Sequence, residues 1–302
     1  ASGDYPDLVT NLTEKTPPRN DKFVLGDKFL IRYTPSTQIL QFCSERNPIT
    51  TNLKYGTVDD ATDDLPCASF EGEQIANLYN IPNELRLQGK DNATCNNYRK
   101  LIEEVNIIHS CHHAEYNISD PLNSALKLGD GDITLGQLMS PSWRLPNLTD
   151  IFLSCCETGL GLAEITDDIL TLSAGFLCAG ARSVISTLWA VDDLATALFS
   201  LFYYKNRNEG KTRPEALKIA QIKLRNMTKD DLMEFAKPIN QKYKEARNNK
   251  KQYEPNSPNY LKWNQAYKTY SKLKESIWRF KQYDYPFAHP SYWAGFICQG
   301  LR

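Results

Sequence analysis

Two apolar runs of this chain, each β-branched at its start, end abruptly in side chains that can act as nucleophiles or bases. The first begins at Val105, reaches His109 and continues as Ser-Cys-His-His, and the second begins at Ile151 and continues as Phe-Leu-Ser-Cys-Cys. Short apolar runs of this kind are typical of strands buried on both faces of a parallel sheet. The ligand crevice of such a sheet lies at the carboxyl ends of its strands. The pattern therefore predicts an α/β fold in which a cysteine and a histidine meet at one sheet edge.

The rest of the chain alternates between strand and helix patterns, as βαβ units require. Strands are predicted at Lys28–Tyr33, Val105–His109, Asp150–Ser154 and Ser183–Trp189, and helices at Glu71–Tyr79, Thr94–Glu104, Asp167–Ala179, Asp192–Lys205 and Thr212–Arg225. Residues 227–285 are instead rich in Lys, Asn, Tyr and Gln and carry long helical patterns. We interpret them as a helical insertion in an α/β core. The apolar pattern from Phe287 to Cys298 predicts a return to the core sheet.

Composition limits the classes of function. With 302 residues, 41% hydrophobic residues and a net charge of −1, the chain can bury a substantial core but offers no global attraction to nucleic acid or anionic membranes. The basic stretch from Lys237 to Lys251 is better interpreted as a solvated helix face. No apolar run approaches the ~20 residues that span a bilayer, and the start lacks the features of a signal peptide. We therefore expect a cytoplasmic protein that contacts neither nucleic acid nor membrane.

The cysteines and histidines do not form a metal or disulfide pattern. The eight cysteines include no CxxC pair, and most of them lie inside apolar runs. Buried reduced thiols explain most of them. The available bases or ligands are four histidines, at positions 109, 112, 113 and 289. We expect no metal ion and no organic cofactor.

Six segments, taken in order, resemble the CHAT domain, a caspase-like cysteine peptidase module related to the separases. They are Tyr33-Thr-Pro-Ser36, Asp64-Leu-Pro-Cys-Ala-Ser-Phe-Glu-Gly-Glu73, His109-Ser-Cys-His112 followed by Asp120-Pro-Leu-Asn-Ser-Ala-Leu126, Leu153-Ser-Cys-Cys-Glu-Thr-Gly159, Gly180-Ala-Arg-Ser-Val-Ile-Ser-Thr-Leu-Trp-Ala-Val-Asp-Asp193 and His289-Pro-Ser-Tyr-Trp-Ala-Gly-Phe296. Such an ordered set is far more specific than any single motif. The resemblance implies a caspase-like fold, with a mostly parallel central sheet flanked by helices. It also implies that residues 1–24 are a linker or the end of an upstream domain and that residues 25–302 form the peptidase domain, within which the helical insertion inferred from composition covers approximately residues 227–285.

The resemblance places the family's nucleophile on Cys156 and its base on His112. Cys155 stands where related sequences more often have Ala, and because neighbours on a strand point to opposite faces, only one of the two cysteines can face the crevice. We interpret Cys155, and likewise His109, as core residues. His113 stands where the family usually has Gly. Its backbone N–H, together with that of Cys156, would form the oxyanion hole, and the choice between His112 and His113 as the base stays open.

The resemblance also assigns a pocket for the substrate residue that precedes the cut. Its lining would come from Ser154, two residues before the nucleophile, and from Trp189, Val191, Asp192 and Asp193 after the next strand. The two aspartates could make the pocket negative, or they could cap the following helix. With a neutral Ser154, we expect a small or apolar substrate residue at this position.

The function implied is that of a cysteine endopeptidase that cleaves a specific protein partner. The family's habits imply activation by an upstream sensor domain or a partner, and a setting in bacterial defence, with a CRISPR effector complex as one candidate activator. A different class of function, a catalytically silent caspase-like interaction or signalling module, is the alternative. A thioesterase or acyl transferase with the same Cys-His pair is a weaker third possibility, because no segment indicates a pantetheine or lipid pocket.

Overall fold

The computed structural model describes residues 24–47, 49, 51–117, 119–155 and 171–301. The helices in this part of the chain are α1 Leu25–Lys28, α2 Thr37–Glu45, α3 Pro66–Leu78, α4 Cys95–Glu104, α5 Leu135–Met139, α6 Leu172–Ala179, α7 Asp193–Asn208, α8 Arg213–Asn226, α9 Lys229–Lys250 and α10 Pro258–Phe280. The strands are β1 Tyr55–Asp59, β2 Arg86–Gln88, β3 Ile107–Cys111, β4 Ala114–Glu115, β5 Ala125–Leu128, β6 Gly131–Thr134, β7 Asp150–Leu153, β8 Ser183–Thr187 and β9 Phe296–Gly300.

Six strands form the central sheet, in the order β2-β1-β3-β7-β8-β9. All neighbouring strands in it are parallel except β8 and β9, which are antiparallel. Strands β3 and β7 are buried along their whole length, as expected for inner strands that helices cover on both faces. A second, smaller antiparallel sheet consists of β4, β5 and β6, which lie between β3 and β7 along the chain. The predicted α/β architecture is confirmed, and it is consistent with the caspase-like fold.

The two faces of the sheet give the end of β3 two different environments. On one face, the ring of His109 packs edge-on against Tyr204 of α7, with ring centres 5.4 Å apart, and lies beside Glu71 of α3. On the other face, the hydroxyl groups of Ser110 and Tyr98 of α4 lie 3.4 Å apart. Because side chains alternate along a strand, odd-numbered residues of β3 face α3 and α7 and even-numbered ones face α4.

Most long helices begin at a capping residue that is visible in the sequence. The capping side chains of α2, α4, α6 and α10 accept hydrogen bonds from the first turn, and α8 and α9 begin with capping boxes; the residues are Ser36, Thr94, Thr171, Ser257, Thr212 and Thr228. The predicted helices at 71–79, 94–104, 192–205 and 212–225 are all present, with only their ends displaced, although α3 begins without a capping side chain.

Two predicted strands differ from the structure at their start, and the strand predicted from Ser183 ends at Thr187, two residues before Trp189. The predicted strand Lys28–Tyr33 is wrong, because its first residue ends α1 and only Tyr33 forms a bridge, to Gln299 of β9. The strand predicted from Val105 begins two residues later, because the Val105 N–H still donates to the carbonyl of Leu101 and so ends α4. An apolar pattern cannot separate the last turn of a helix from the first residues of the strand that follows it.

Residues 227–285 contain α9 and α10, which pack against each other. Helix α10 also contacts α3 and α7, so the pair joins the core from the face that carries those helices. The description of the pair as an insertion stays a prediction. None of the described helices combines the length and the apolar character that crossing a membrane would require.

Candidate active site

The two reactive segments are the residues that follow β3, His112 and His113, and those that follow β7, up to Cys156. Their strands are parallel neighbours in the sheet. Strand β3 pairs with β7, with Ser110 opposite Leu153. The pairing continues one residue further, because the Ser154 N–H donates to the Ser110 carbonyl at 2.9 Å. The predicted proximity of the two strand ends is therefore confirmed. Cys156 itself lies outside the described residues, so the Cys-His dyad stays a prediction.

Cys155 is described, and it is buried, with 8% of its surface exposed. Its Sγ lies 3.6 Å from the carbonyl oxygen of Ser110. Its position in the interior agrees with the interpretation of Cys155 as a core residue. Ser154, one residue earlier, points instead to the α3 face, where its hydroxyl donates to Glu71 Oε1 at 2.9 Å.

His112 is completely buried directly after β3. Its Nδ1 lies 3.0 Å from the carbonyl oxygen of His113, which can only accept, so Nδ1 carries the proton of the neutral ring. Its Nε2 then accepts from the Ser110 hydroxyl, 2.8 Å away. Burial is the main cause that lowers the pKa of His112 to about 4. His112 is therefore a neutral imidazole at pH 7, and its acceptor nitrogen is occupied by a serine.

His113 differs from His112 in both exposure and partner. Its side chain is 28% exposed, and its Nε2 lies 3.1 Å from Oδ1 of Asp64. Burial alone would raise the pKa of Asp64, but hydrogen bonds from Thr62 and His113 lower it overall. A histidine oriented by a carboxylate is the arrangement of many general bases. The geometry thus leaves both histidines as candidates at the same sheet edge.

A polar cluster that the sequence did not predict lies behind this edge, on the α3 face. Glu71 Oε1 is 3.0 Å from His109 Nε2, and Glu71 Oε2 accepts from the Cys111 thiol at 3.2 Å. Glu71, His109, Cys111 and Ser154 are each no more than 4% exposed. His109 is thus a core residue, as predicted, but one with an acidic neighbour.

The charges in this cluster are uneven. Burial alone would raise the pKa of Glu71, but the nearby His109 and hydrogen bonds to the carboxylate lower it overall, so Glu71 is ionised at neutral pH. Burial, followed by the charge of Glu71, raises the pKa of the Cys111 thiol well above its usual value. Cys111 is therefore a protonated hydrogen-bond donor and a poor nucleophile.

The same cluster has the residue types of a metal site. One ligand atom each of Glu71, His109 and Cys111 lie within 4.8 Å of one another. The carboxylate oxygens of Glu71 already accept from the Cys111 thiol and the Ser154 hydroxyl. We therefore describe the group as a hydrogen-bonded cluster.

One sequence signal could have indicated this cluster. Glu71 lies on the core-facing side of α3, among the buried residues Cys67, Ala68, Phe70, Gly72 and Ile75. A carboxylate among core residues requires a buried partner. The sequence could not name that partner, because Cys111 and Ser154 are 40 and 83 positions away along the chain.

The predicted pocket residues occupy the connection from β8 to α7, apart from Ser154. Trp189 is partly buried, and its Nε1 donates to the Ser291 carbonyl at 3.0 Å. Val191 is buried, with 5% exposure. Asp192 caps α7 through Leu194 N–H and Ala195 N–H and pairs with Arg279 at 3.1 Å, whereas Asp193 is an exposed residue of the first helical turn. Asp192 thus has the capping role that the sequence left open, and a substrate role for any of these residues stays a prediction.

Comparison with known proteins assigns this chain to a family. The model of the CHAT domain matches residues 15–301. No curated protein matches the chain. The match spans both strand ends, the Glu71 cluster and the connection after β8. The chain therefore belongs to the CHAT domain family, whose members are related to the caspase-like cysteine peptidases.

Proposed function

We propose that this chain is a cysteine endopeptidase that cleaves a protein partner with Cys156 as nucleophile. The observation that carries the proposal is the pairing of β3 with β7 in a CHAT-domain chain, which brings Ser154, directly after β7, beside Ser110 near the end of β3. In a parallel sheet the crevice at these strand ends is where ligands bind.

The reaction needs one nucleophile and one proton carrier. His112 takes the thiol proton of Cys156, and the thiolate attacks the scissile carbonyl carbon. The backbone N–H groups of Cys156 and His113 stabilise the oxyanion. His112 then gives its proton to the leaving amine, which departs from an acyl-enzyme. Water, deprotonated by the same imidazole, releases the carboxylate product and restores the thiol. No organic cofactor takes part in these steps.

The buried state of His112 supports a requirement for activation. The Nε2 atom of His112 already accepts a hydrogen bond from Ser110. This bond has to break before Nε2 can accept the proton of the Cys156 thiol. An upstream sensor domain or a binding partner that rearranges this edge would supply the switch. The setting in bacterial defence is part of the same proposal, and a CRISPR effector complex is one candidate partner.

The pocket environment supports a small or apolar substrate residue before the cut. The hydroxyl of Ser154 is engaged by Glu71, and the charge of Asp192 is engaged by Arg279 and by the start of α7. These partners leave the two residues without a strong preference for a cationic side chain. Trp189, Val191 and Asp193 would complete the pocket wall.

The test compares cleavage of a synthetic peptide library by matched variants, with and without the proteins encoded beside this chain as candidate activators, and the fragments are identified by mass spectrometry. We expect cleavage by the wild type, a loss of about 1,000-fold or more in Cys156→Ala, and near-normal cleavage in Cys155→Ala. His112→Ala and His113→Ala identify the base, because only the variant that lacks it should lose cleavage. Unchanged cleavage by Cys156→Ala would reject the nucleophile.

The second candidate function is the silent interaction module. The low pKa and complete burial of His112 are the observations that favour it. It predicts that neither the wild type nor any variant cuts a peptide or a protein encoded beside this chain, whether or not the other neighbouring proteins are present.

A further inference from the structure

We infer that Glu71 is a positioning residue for the proposed dyad: its buried carboxylate ties together the carboxyl ends of β3 and β7 and so fixes where the two reactive segments leave the sheet. The inference rests on the proposed function. It adds a residue outside both reactive segments, and neither the family match nor the composition assigns that residue a role.

The first support is the set of contacts. Glu71 accepts from Ser154 at 2.9 Å through Oε1 and from Cys111 at 3.2 Å through Oε2. In sequence, Ser154 precedes Cys156 by two residues, and Cys111 immediately precedes His112. One carboxylate therefore holds a residue within two positions of each member of the proposed dyad.

The second support is that helix α3, which carries Glu71, is itself held rigidly over the sheet. At its start, Asp60 accepts from the Leu65 N–H at 2.8 Å and from the Ser69 hydroxyl at 3.0 Å. One residue after Glu71, a Cβ added to Gly72 would lie 1.9 Å from Oδ1 of Asp59 in β1. Only glycine permits this approach of the helix to the sheet. The position of the Glu71 carboxylate is thus set by the packing of α3 against the sheet.

The third support is the chemical character of the donors. Ser154 and Cys111 donate through a hydroxyl and a thiol, which are directional hydrogen bonds to an ionised oxygen. Two directional bonds from neighbouring strands restrict both the separation and the twist of the strand ends. A displacement of about 1 Å at a reacting group can lower a rate about 100-fold. Loss of the carboxylate should therefore act on the dyad more than on the fold.

The experiment needs no substrate. Site-specific mass spectrometry follows the rate at which iodoacetamide alkylates Cys156 in the intact chain, with the partly buried Cys95 and Cys178 as internal references. The ultraviolet absorbance of the thiolate, taken as the difference from Cys156→Ala, gives a second signature. The variants are Glu71→Gln, which keeps the shape, and Glu73→Gln as a matched control on the same helix. His112→Ala and His113→Ala show whether a histidine activates the thiol.

We expect Glu71→Gln to slow Cys156 alkylation by about 10-fold to 100-fold and to reduce the thiolate absorbance. Cys95 and Cys178 should react at unchanged rates, and Glu73→Gln should behave as the wild type. A purely structural role of Glu71 would alter all three thiols together. If Glu71→Gln fails to fold, Ser154→Ala removes one of the two bonds and should give a smaller loss in the same direction.

Two results overturn the inference, and they are distinguishable. If a histidine variant slows Cys156 but folded Glu71→Gln or Ser154→Ala reacts as the wild type does, Glu71 does not position the dyad and the proposed function stands. If Cys156 in the wild type reacts no faster than Cys178 and neither histidine variant changes it, in the presence of the proteins encoded beside this chain as well as without them, the activated thiol is absent and both conclusions fail.

Discussion

Each end of strand β7 is held by a different buried carboxylate, and the two carboxylates have partners of different chemical character. At the amino end the carboxylate belongs to β7 itself. Asp150 accepts from Arg213 Nη2 at 2.8 Å, and Arg207 lies 3.7 Å from the same oxygen. Guanidinium groups stay charged at every physiological pH, so this end is a permanent ion pair.

At the carboxyl end the carboxylate comes from another element, α3. Glu71 faces a hydroxyl, a thiol and an imidazole, from Ser154, Cys111 and His109. The hydroxyl and the thiol donate directional hydrogen bonds to this carboxylate. One end of the strand is thus fixed by a charged pair, and the other end, where the proposed dyad would lie, by directional hydrogen bonds.

The largest effect should come from breaking the amino-end pair. Arg213→Ala leaves the carboxylate of Asp150 buried without its main partner, and we expect the free energy of unfolding to fall by about 3 to 5 kcal/mol. Urea denaturation followed by circular dichroism measures it. Arg207→Ala is the matched control, and because this residue is more exposed and more distant it should cost about 1 kcal/mol or less. Equal losses in the two variants would contradict the assignment of Arg213 as the main partner.

A smaller effect should follow from protonation at the carboxyl end. The pKa of His112 is lowered from 6.5 to about 4 in the fold, so between these values the unfolded chain binds a proton that the folded chain excludes. The free energy of unfolding should therefore decrease as the pH falls through this interval, by up to about 3 kcal/mol. Arg213 keeps its charge throughout. Urea denaturation from about pH 7 to about pH 4.5 tests this against His112→Gln, which should show a shallower dependence. Parallel curves for the two proteins would place the responsible group elsewhere.

The smallest of the three effects concerns how closely α3 approaches the sheet. Gly72→Ala places a methyl group 1.9 Å from Oδ1 of the fully buried Asp59, so the helix or the Asp59 side chain has to shift, and we expect a loss of about 1 to 3 kcal/mol. Gly26→Ala is the control in α1, where no atom lies within 4 Å of the added Cβ, and it should stabilise by up to about 1 kcal/mol. Thermal unfolding measures both. A Gly72→Ala protein as stable as the wild type would show that α3 is free to shift.

Local signals in the sequence were sufficient for much of the fold. The apolar runs located β3, β7 and β8, and helical patterns located α3, α4, α7 and α8, because each pattern is carried by the residues of the element itself. The adjacency of β3 and β7 was predicted from their shared pattern, since reactive side chains that follow parallel strands meet at one edge of the sheet.

What the sequence missed depends on contacts between distant residues. Strand β1, Tyr55–Asp59, contains the polar residues Thr57 and Asp59, which are buried in the structure. Because of these two residues, the sequence of β1 lacks the apolar pattern of a core strand. The Glu71 cluster was missed for the same reason. The engagement of His112 by Ser110 also could not be predicted, since it depends on the direction of a side chain beyond the strand end.

The antiparallel position of β9 has a consequence for how the chain folds during synthesis. It pairs with β8 at the edge of the sheet, where Ser183 and Cys298 are in contact although they are 115 positions apart along the chain. Pairings this distant form slowly, and an unpaired strand edge can pair with other chains. While a ribosome is still making α8, α9 and α10, β8 has no partner on that side. A nascent chain that stalls before Phe296 should therefore expose an aggregation-prone edge, and the folded sheet is complete only after this strand has been released.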